Sequence, residues 1–246
     1  MHAEPVTTDA PALPRPVVMS QDWRDLTFLH WAVDPSSLER FMPPGVRPDV
    51  HEGRSYVGLV PFRMVDAGFA NGPAVPFFGT FLETNVRLYS VGADGRRGVV
   101  FLSLDTDRLA VVAGARAALR LPYRWASMSY RVDTVAGAPE HTYTARLRTP
   151  SRATSRLVVR VGERREATDL DVFLTARWGL HTRAWGRTLY VRNSHPAWPL
   201  HDAEAVVLDD GLTASVGLPG LADRAPDHVA FSPGVHTRFG RAVRSR

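Results

Sequence analysis

The residues best suited to chemistry lie two apart in one stretch, Phe81-Leu82-Glu83-Thr84-Asn85-Val86-Arg87-Leu88-Tyr89. Successive side chains of an extended strand point to opposite faces. Glu83, Asn85, Arg87 and Tyr89 therefore share one face, and Leu82, Thr84, Val86 and Leu88 share the other. An arginine can grip a carboxylate or enolate oxygen with two parallel N–H groups. A glutamate whose pKa is raised by burial can act as acid or base, and Asn85 and Tyr89 add hydrogen-bonding contacts. On an open sheet this polar row simply faces water, whereas in a closed one it lines a cavity for a small organic acid or carbonyl compound. A third arrangement pairs Glu83 with Arg87 as an internal ion pair, because buried charges must find partners.

Two further stretches carry polar or aromatic groups at turns. Arg116 precedes Leu121-Pro122-Tyr123-Arg124-Trp125, where a helix meets a proline and gives way to a strand. Arg116 and Arg124 are candidate anion holders and Tyr123 a candidate proton donor; the plain structural reading is a helix stop with aromatic packing. Asn193-Ser194-His195-Pro196-Ala197-Trp198-Pro199-Leu200 is a rigid turn that offers His195 and Trp198 as ligand contacts, or a histidine that merely bonds backbone. His195 and His201 are six apart, with no cysteine and no helical histidine pair beside them, so no metal site is expected. The chain has no G-x-S-x-G elbow, no P-loop and no G-x-G-x-x-G, so no cofactor is expected from these signatures.

Composition excludes more chemistry than it suggests. The chain has 246 residues, and all 30 of its Lys+Arg cations are arginine; cysteine is absent too. There is then no disulfide, no thiolate nucleophile, and no lysine for a Schiff base or a general base. The sole amine is the N-terminal one. A formal net charge of +5 is modest, and the arginines are scattered apart from Arg238, Arg241, Arg244 and Arg246, so a nucleic-acid partner is not expected. No apolar run reaches the roughly 18 residues of a membrane-spanning helix. Residues 1–18 have no signal-peptide pattern and read as a disordered tail, with Met19 a second candidate start. These features point to a cytoplasmic protein with no membrane partner and one domain over residues 19–240.

The elements that must position these side chains are mostly strands. Period-two patterning marks Arg54–Met64, Phe81–Ser90, Gly98–Asp105, His141–Arg148, Arg156–Gly162, Thr188–Val191 and Glu204–Leu208. Three helices are predicted: one opening at Asp34-Pro35 and stopped by Pro43-Pro44-Gly45, one over Asp107–Leu119, and one over Thr168–Leu180. The last starts with a Thr168/Asp171 capping box. With no βαβ alternation, the fold class is α+β, with a largely antiparallel sheet that curls or closes.

Several motifs in this order resemble the bacterial YqjF-like family of unknown function. They are Trp23, Phe28-Leu29-His30-Trp31, Met42-Pro43-Pro44-Gly45, Val57-Gly58-Leu59-Val60-Pro61-Phe62, Glu83 to Tyr89, Phe101-Leu102-Ser103-Leu104-Asp105, Ala115-Arg116, Leu121-Pro122-Tyr123, Phe173 to Trp178 and His195 to Leu200. The resemblance covers roughly residues 20–210. That family is similar to the acetoacetate decarboxylase superfamily, which implies a curled β-cone or barrel around a small-molecule cavity, often assembled into homo-oligomers. An exposed aromatic such as Trp185 would serve assembly, or else belong to the core.

In the decarboxylases an arginine-bearing segment leads to a Pro-Lys-Lys turn whose first lysine forms the Schiff base. The resemblance places Tyr123 at that lysine and Arg124 at its cationic neighbour. A phenol cannot form an iminium, so Schiff-base decarboxylation is excluded. The same resemblance makes Glu83 the pocket carboxylate. Three functions follow. The first is an enzyme of non-imine lyase, isomerase or hydratase type with Glu83, Tyr123 and Arg116 as catalytic residues and Asn85, Arg87, Tyr89, Arg124, His195 and Trp198 around the substrate. The others are a non-catalytic binder of the same ligand and an interaction module with a degenerate cavity.

Overall fold

A computed structural model describes residues 2–70, 72 and 79–245; Arg246, named above, lies outside them. The strands are β1 (Met19–Val33), β2 (Val46–Pro48), β3 (Ser55–Phe69), β4 (Phe81–Gly92), β5 (Arg97–Thr106), β6 (Tyr123–Val135), β7 (Ala138–Leu147), β8 (Thr154–Arg165), β9 (Gly179–Ala184), β10 (Arg187–Ser194), β11 (Leu200–Asp210) and β12 (His228–Arg244). The α-helices are short: α1 (Leu109–Leu119), α2 (Asp169–Thr175) and α3 (Leu212–Ser215). All described strands join one sheet in the order β10-β9-β5-β6-β7-β8-β11-β12-β1-β3-β4-β2, which curls into a ring because β4 also pairs with β5 and β10 with β12. The pairings are antiparallel except β5 with β6 and β5 with β9.

Sequence patterning finds β3 and β4 but misses β1 and β12. In β1 every residue from Leu26 to Trp31 is buried, so the alternation that marks a half-exposed strand is absent. In β12 the pair Pro233-Gly234 reads as a turn, yet the strand runs through it. Gly234 has φ +126, and a Cβ there would lie 1.9 Å from the Trp23 carbonyl oxygen. Only glycine allows β1 and β12 to approach so closely.

The helix predicted over Asp107–Leu119 is α1, which starts at Leu109 and ends at Leu119 as predicted. Asp34 caps a short 3₁₀ helix, Pro35–Phe41, by accepting from the Ser36 amide. The Thr168/Asp171 capping box is formed, with both reciprocal bonds present. The helix predicted to reach Leu180 stops at Thr175, because Gly179 and Leu180 already belong to β9. Gly179 serves close packing there and not a helix cap: a Cβ would lie 2.3 Å from the Tyr190 ring.

Both faces of the central strands are covered. One face carries Leu29, Trp31, Val57, Leu59, Val86 and Leu88 into an apolar core closed by Leu38, Leu147, Leu157 and Leu212. The opposite face meets two aromatic clusters, one around Phe28, Phe62 and Trp198 and one around Tyr56, Tyr89 and Phe173. Residues 2–18 hold no helix or strand; Glu4, Thr7 and Ala12 bond Gly95, Trp178 and Arg192 of the sheet region. Trp185 is exposed, with the Arg120 guanidinium 5.0 Å from its ring centre. Among the described residues no helix is long and apolar enough to cross a membrane.

The parallel contact between β5 and β6 is fastened by a buried ion pair. Asp105 and Arg124 are in register, and Arg124 grips the carboxylate with two bonds of 2.5 and 2.7 Å. The Asp105 side chain is 0% exposed and that of Arg124 15%. Replacing Asp105 by Ala strands that guanidinium in the interior and is expected to destabilise the fold by about 3–5 kcal/mol. Urea unfolding of the variant beside the parent measures it; a loss below about 1 kcal/mol would refute a buried-pair role.

Candidate functional site

The polar row on β4 sits in the middle of the second face, and the register shows what surrounds it. Arg87 lies opposite Gly58, Asn85 opposite Val60, and Glu83 opposite Phe62. Gly58 in turn lies opposite His30, and His30 opposite His228. One line across four strands therefore reads His228, His30, Gly58, Arg87. Gly58 is what allows the two large side chains to lean together. A Cβ at this position would come within 3.1 Å of the His30 ring and 3.2 Å of Arg87 Cγ.

At one end of the row Glu83 is buried and accepts a 2.9 Å hydrogen bond from the Tyr123 hydroxyl. Burial pushes the Glu83 carboxyl up to about 8, against the opposing pull of hydrogen bonds from Tyr123 and Asn85. Asp105 adds to the upward push. At neutral pH Glu83 thus keeps its proton. Burial, reinforced by Glu83, raises the Tyr123 phenol well above its ordinary value. Asn85 is buried as well, and its Oδ1 has no hydrogen-bond partner.

At the other end Arg87 donates from Nε to the Tyr89 hydroxyl and from Nη2 to the Leu174 carbonyl, both at 3.1 Å. Its guanidinium carbon is 5.5 Å from the ring centres of both Phe28 and Tyr89. Among the described residues no carboxylate pairs with it. The Glu83–Arg87 ion pair considered from the sequence is therefore not formed. Trp198 donates its indole N–H to the Thr175 carbonyl, stacks on Trp23 at 5.8 Å and meets Phe28 edge-on at 5.2 Å. His195 packs among Trp23, Trp178 and Trp198. Burial pushes its imidazole down to about 4, with a further push from Arg87.

The structure thus brings Glu83, Asn85 and Tyr123 together at one end of the row and Arg87 and Tyr89 at the other, with Trp198 and His195 in the adjoining aromatic cluster. Two sequence candidates fall outside. Arg116 is exposed on α1 and donates to the Tyr123 backbone carbonyl at 2.7 Å; it steadies the turn that presents Tyr123. Arg124 is committed to Asp105 and to the Ser215 hydroxyl. Arg124 is thus occupied, and Arg116 lies on the exposed side of α1. A cavity of about 470 Å³ lies beside His195, lined also by Ser194, His236 and Arg238. Another, of about 270 Å³, lies between Pro43-Pro44, Leu121-Pro122 and Arg183.

Several buried polar residues beside the row were not found from the sequence. His30 bonds Tyr89 and His228; His228 bonds Asp171; Arg177 lies over the Tyr89 ring and pairs with Asp49. Asp171 was visible only as a helix cap. His30 lies in an apolar run, and the residues that join it come from 59 and 198 positions away along the chain. Only knowledge of the strand order connects them.

Comparison with known proteins agrees with this architecture. The DUF2071 family, described as an uncharacterized conserved protein, matches residues 20–236. The chain is 30% identical over 204 residues to the uncharacterized protein YqjF of Bacillus subtilis (strain 168), covering 82% of each. Among solved structures it is similar to an acetoacetate decarboxylase-like enzyme from Sphingomonas wittichii RW1, with TM-score 0.65, 14% identity and 94% of each chain covered. It is also similar to the enduracididine biosynthesis enzyme MppR complexed with pyruvate, with TM-score 0.62, 16% identity, and 96% of this chain and 93% of that one covered. The acetoacetate decarboxylase of Legionella pneumophila gives TM-score 0.59 at 14% identity, covering 95% and 91%. At these identities the structural likeness establishes the fold.

The raised Glu83 carboxyl makes stability depend on pH in a stated direction. The folded chain holds this proton more tightly than the unfolded chain, whose glutamate has the ordinary value of 4.5. Its contribution is therefore fully present below about 4.5 and is lost as pH rises through about 8. Glu83→Gln stays neutral at every pH. Urea unfolding from pH 5 to 9 is expected to show the parent losing stability relative to this variant, and parallel curves would mean that Glu83 is already ionised in the fold.

Proposed function

The chain belongs to the DUF2071 family, and from its acetoacetate decarboxylase-like fold we propose that the β4 row binds a small organic acid bearing a carbonyl group and catalyses proton transfer on it without an imine. The observation that carries this reading is Arg87. A half-buried guanidinium set against aromatic rings is costly unless something anionic meets it. Arg87 has five N–H donors; the two bonds it makes go to a neutral hydroxyl and a carbonyl. A carboxylate ligand would complete it bidentately. The pyruvate complex of MppR, a protein of the same fold, supports a ligand of this class.

The other end of the row supplies the proton chemistry. Glu83 is neutral at pH 7 and can donate to a carbonyl or enolate oxygen, then recover the proton as a base. Tyr123 orients it and holds the ionised form once the proton has left. Asn85, between the two ends with an unbonded Oδ1, is placed to accept from a ligand hydroxyl. The absence of lysine removes the electron sink of Schiff-base decarboxylation, since the Tyr123 phenol cannot become an iminium. Isomerisation, hydration or dehydration, and non-imine lyase chemistry remain within reach of these groups.

Thermal unfolding with pyruvate and a panel of short keto and hydroxy acids tests the reading. A ligand at 100 times its Kd stabilises by about 2.7 kcal/mol, which raises Tm by several degrees. The rise is expected for at least one acid and is expected to vanish in Arg87→Gln. No rise with any acid, or an equal rise in the variant, would refute the proposal. Borohydride added with pyruvate is expected to leave every internal residue unmodified, and an internal adduct found by peptide mass spectrometry would contradict the non-imine chemistry.

A further inference from the structure

A continuous, partly buried hydrogen-bonded chain joins α2 to Arg87. Asp171 Oδ1 meets His228 Nε2 at 2.8 Å, His228 Nδ1 meets His30 Nδ1 at 2.9 Å, and His30 Nε2 meets the Tyr89 hydroxyl at 2.6 Å. Arg87 Nε closes the chain on Tyr89 at 3.1 Å. The direction of every proton follows from its first member. Asp171 accepts from Arg165 at both oxygens and from the Thr168 amide and hydroxyl. Although burial opposes ionisation, the bonds from Arg165, His228 and Thr168 hold its carboxyl far below the usual range.

A carboxylate cannot donate, so the hydrogen between Asp171 and His228 belongs to His228 Nε2. Neutral His228 then has a bare Nδ1 that accepts from His30 Nδ1–H. His30 Nε2 is left bare and accepts the Tyr89 O–H, while the Tyr89 oxygen accepts from Arg87. Every bond is satisfied by one arrangement, with both imidazoles neutral. A charge on the His30 ring is disfavoured by burial and by His228, Arg87 and Arg177, and favoured only by Asp171. Arg177 is itself paired with Asp49, and these groups, with Tyr89, are what faces His30 from β12, β4 and the α2 region. His30 can pass a proton but is a poor place to store one.

We propose that Tyr89 is a second proton-transfer residue of this site, with His30 and His228 a wire that delivers its proton to a resting place against Asp171. In the forward step a proton on a ligand held at Arg87 moves to the Tyr89 oxygen as the Tyr89 proton moves to His30 Nε2. The His30 Nδ1 proton moves in turn to His228 Nδ1. The ligand's bond to hydrogen breaks and keeps its electron pair, leaving an anion beside Arg87 and an imidazolium on His228 against the Asp171 carboxylate. One ligand bond to hydrogen is lost and one N–H bond, on His228, is gained, while Tyr89 and His30 each lose one and gain one, so the step balances with no other reactant. In the loaded state His30 Nε2–H occupies a Tyr89 lone pair, which turns the Tyr89 O–H toward the ligand for the return step. The ligand's identity rests on the function proposed above, whereas the wire itself is testable with no ligand present.

The test is ¹⁵N NMR of the full chain labelled at histidine, in ligand-free buffer. At pH 7–8 the expected tautomers are Nε2–H for His228 and Nδ1–H for His30. On acidification one joint step is expected, in which His228 gains Nδ1–H while His30 switches to Nε2–H. Tyr89→Phe removes the acceptor for the switched ring and is expected to move that step to lower pH. An Nε2–H tautomer on His30 at neutral pH, independent titration of the two rings, or an unmoved step in Tyr89→Phe would each overturn the wire. Should that variant not fold, the tautomers and the joint step of the parent chain decide alone. Failure of keto acids to bind leaves all these signals intact, so the two proposals fail separately.

Discussion

The saturation of one buried carboxylate, Asp171, is the constraint on which the polar interior depends. Its side chain is completely enclosed, so each of its lone pairs must find a donor inside the protein. The donors come from three elements: Arg165 ends β8, Thr168 starts α2, and His228 starts β12. A short helix of seven residues has little stability of its own. Here its first turn is tied to two strands by charge-assisted bonds. Because α2 is fixed, its Leu174 carbonyl stands where Arg87 can donate to it, and Phe173 and Arg177 close over Tyr89.

The same constraint orders the histidines. One ionised carboxylate dictates a tautomer two rings away, since each ring must present the complementary nitrogen to the next. This is a cooperative property of the sheet. His228, His30, Gly58 and Arg87 are neighbours only because β12, β1, β3 and β4 are adjacent and in register. A shift of one residue in any of these pairings would turn one partner to the opposite, apolar face.

How far the sequence discloses this depends on what each feature requires. The row Glu83, Asn85, Arg87, Tyr89 was legible because strand alternation is a local rule, as was the Thr168/Asp171 box. The absence of lysine and its chemical consequence needed no structure. β1 was not legible as a strand because its residues from Leu26 to Trp31 are all buried and show no alternation, and β12 was not because Pro233-Gly234 reads as a turn where the strand runs on in unbroken register. The surroundings of Arg116 and Arg124 were not legible for a related reason. Sequence places both beside Tyr123, but only the parallel register of β5 and β6 shows Asp105 claiming Arg124, and only the exposure of α1 turns Arg116 outward. His30 and Asp171 were hidden because their partnership spans most of the chain.

The Arg124–Asp105 pair also bears on redesign. Changing Tyr123 to lysine would set an amine against Glu83, which now accepts the Tyr123 hydroxyl at 2.9 Å. A carboxylate there would hold that amine as an ammonium ion. Arg124, the cation that follows in sequence, is already neutralised by Asp105 in the parallel seam between β5 and β6, so it cannot counter that charge. A single exchange at position 123 would therefore install a cation and not a nucleophile, and the seam acts as a latch on the chemistry of its neighbour.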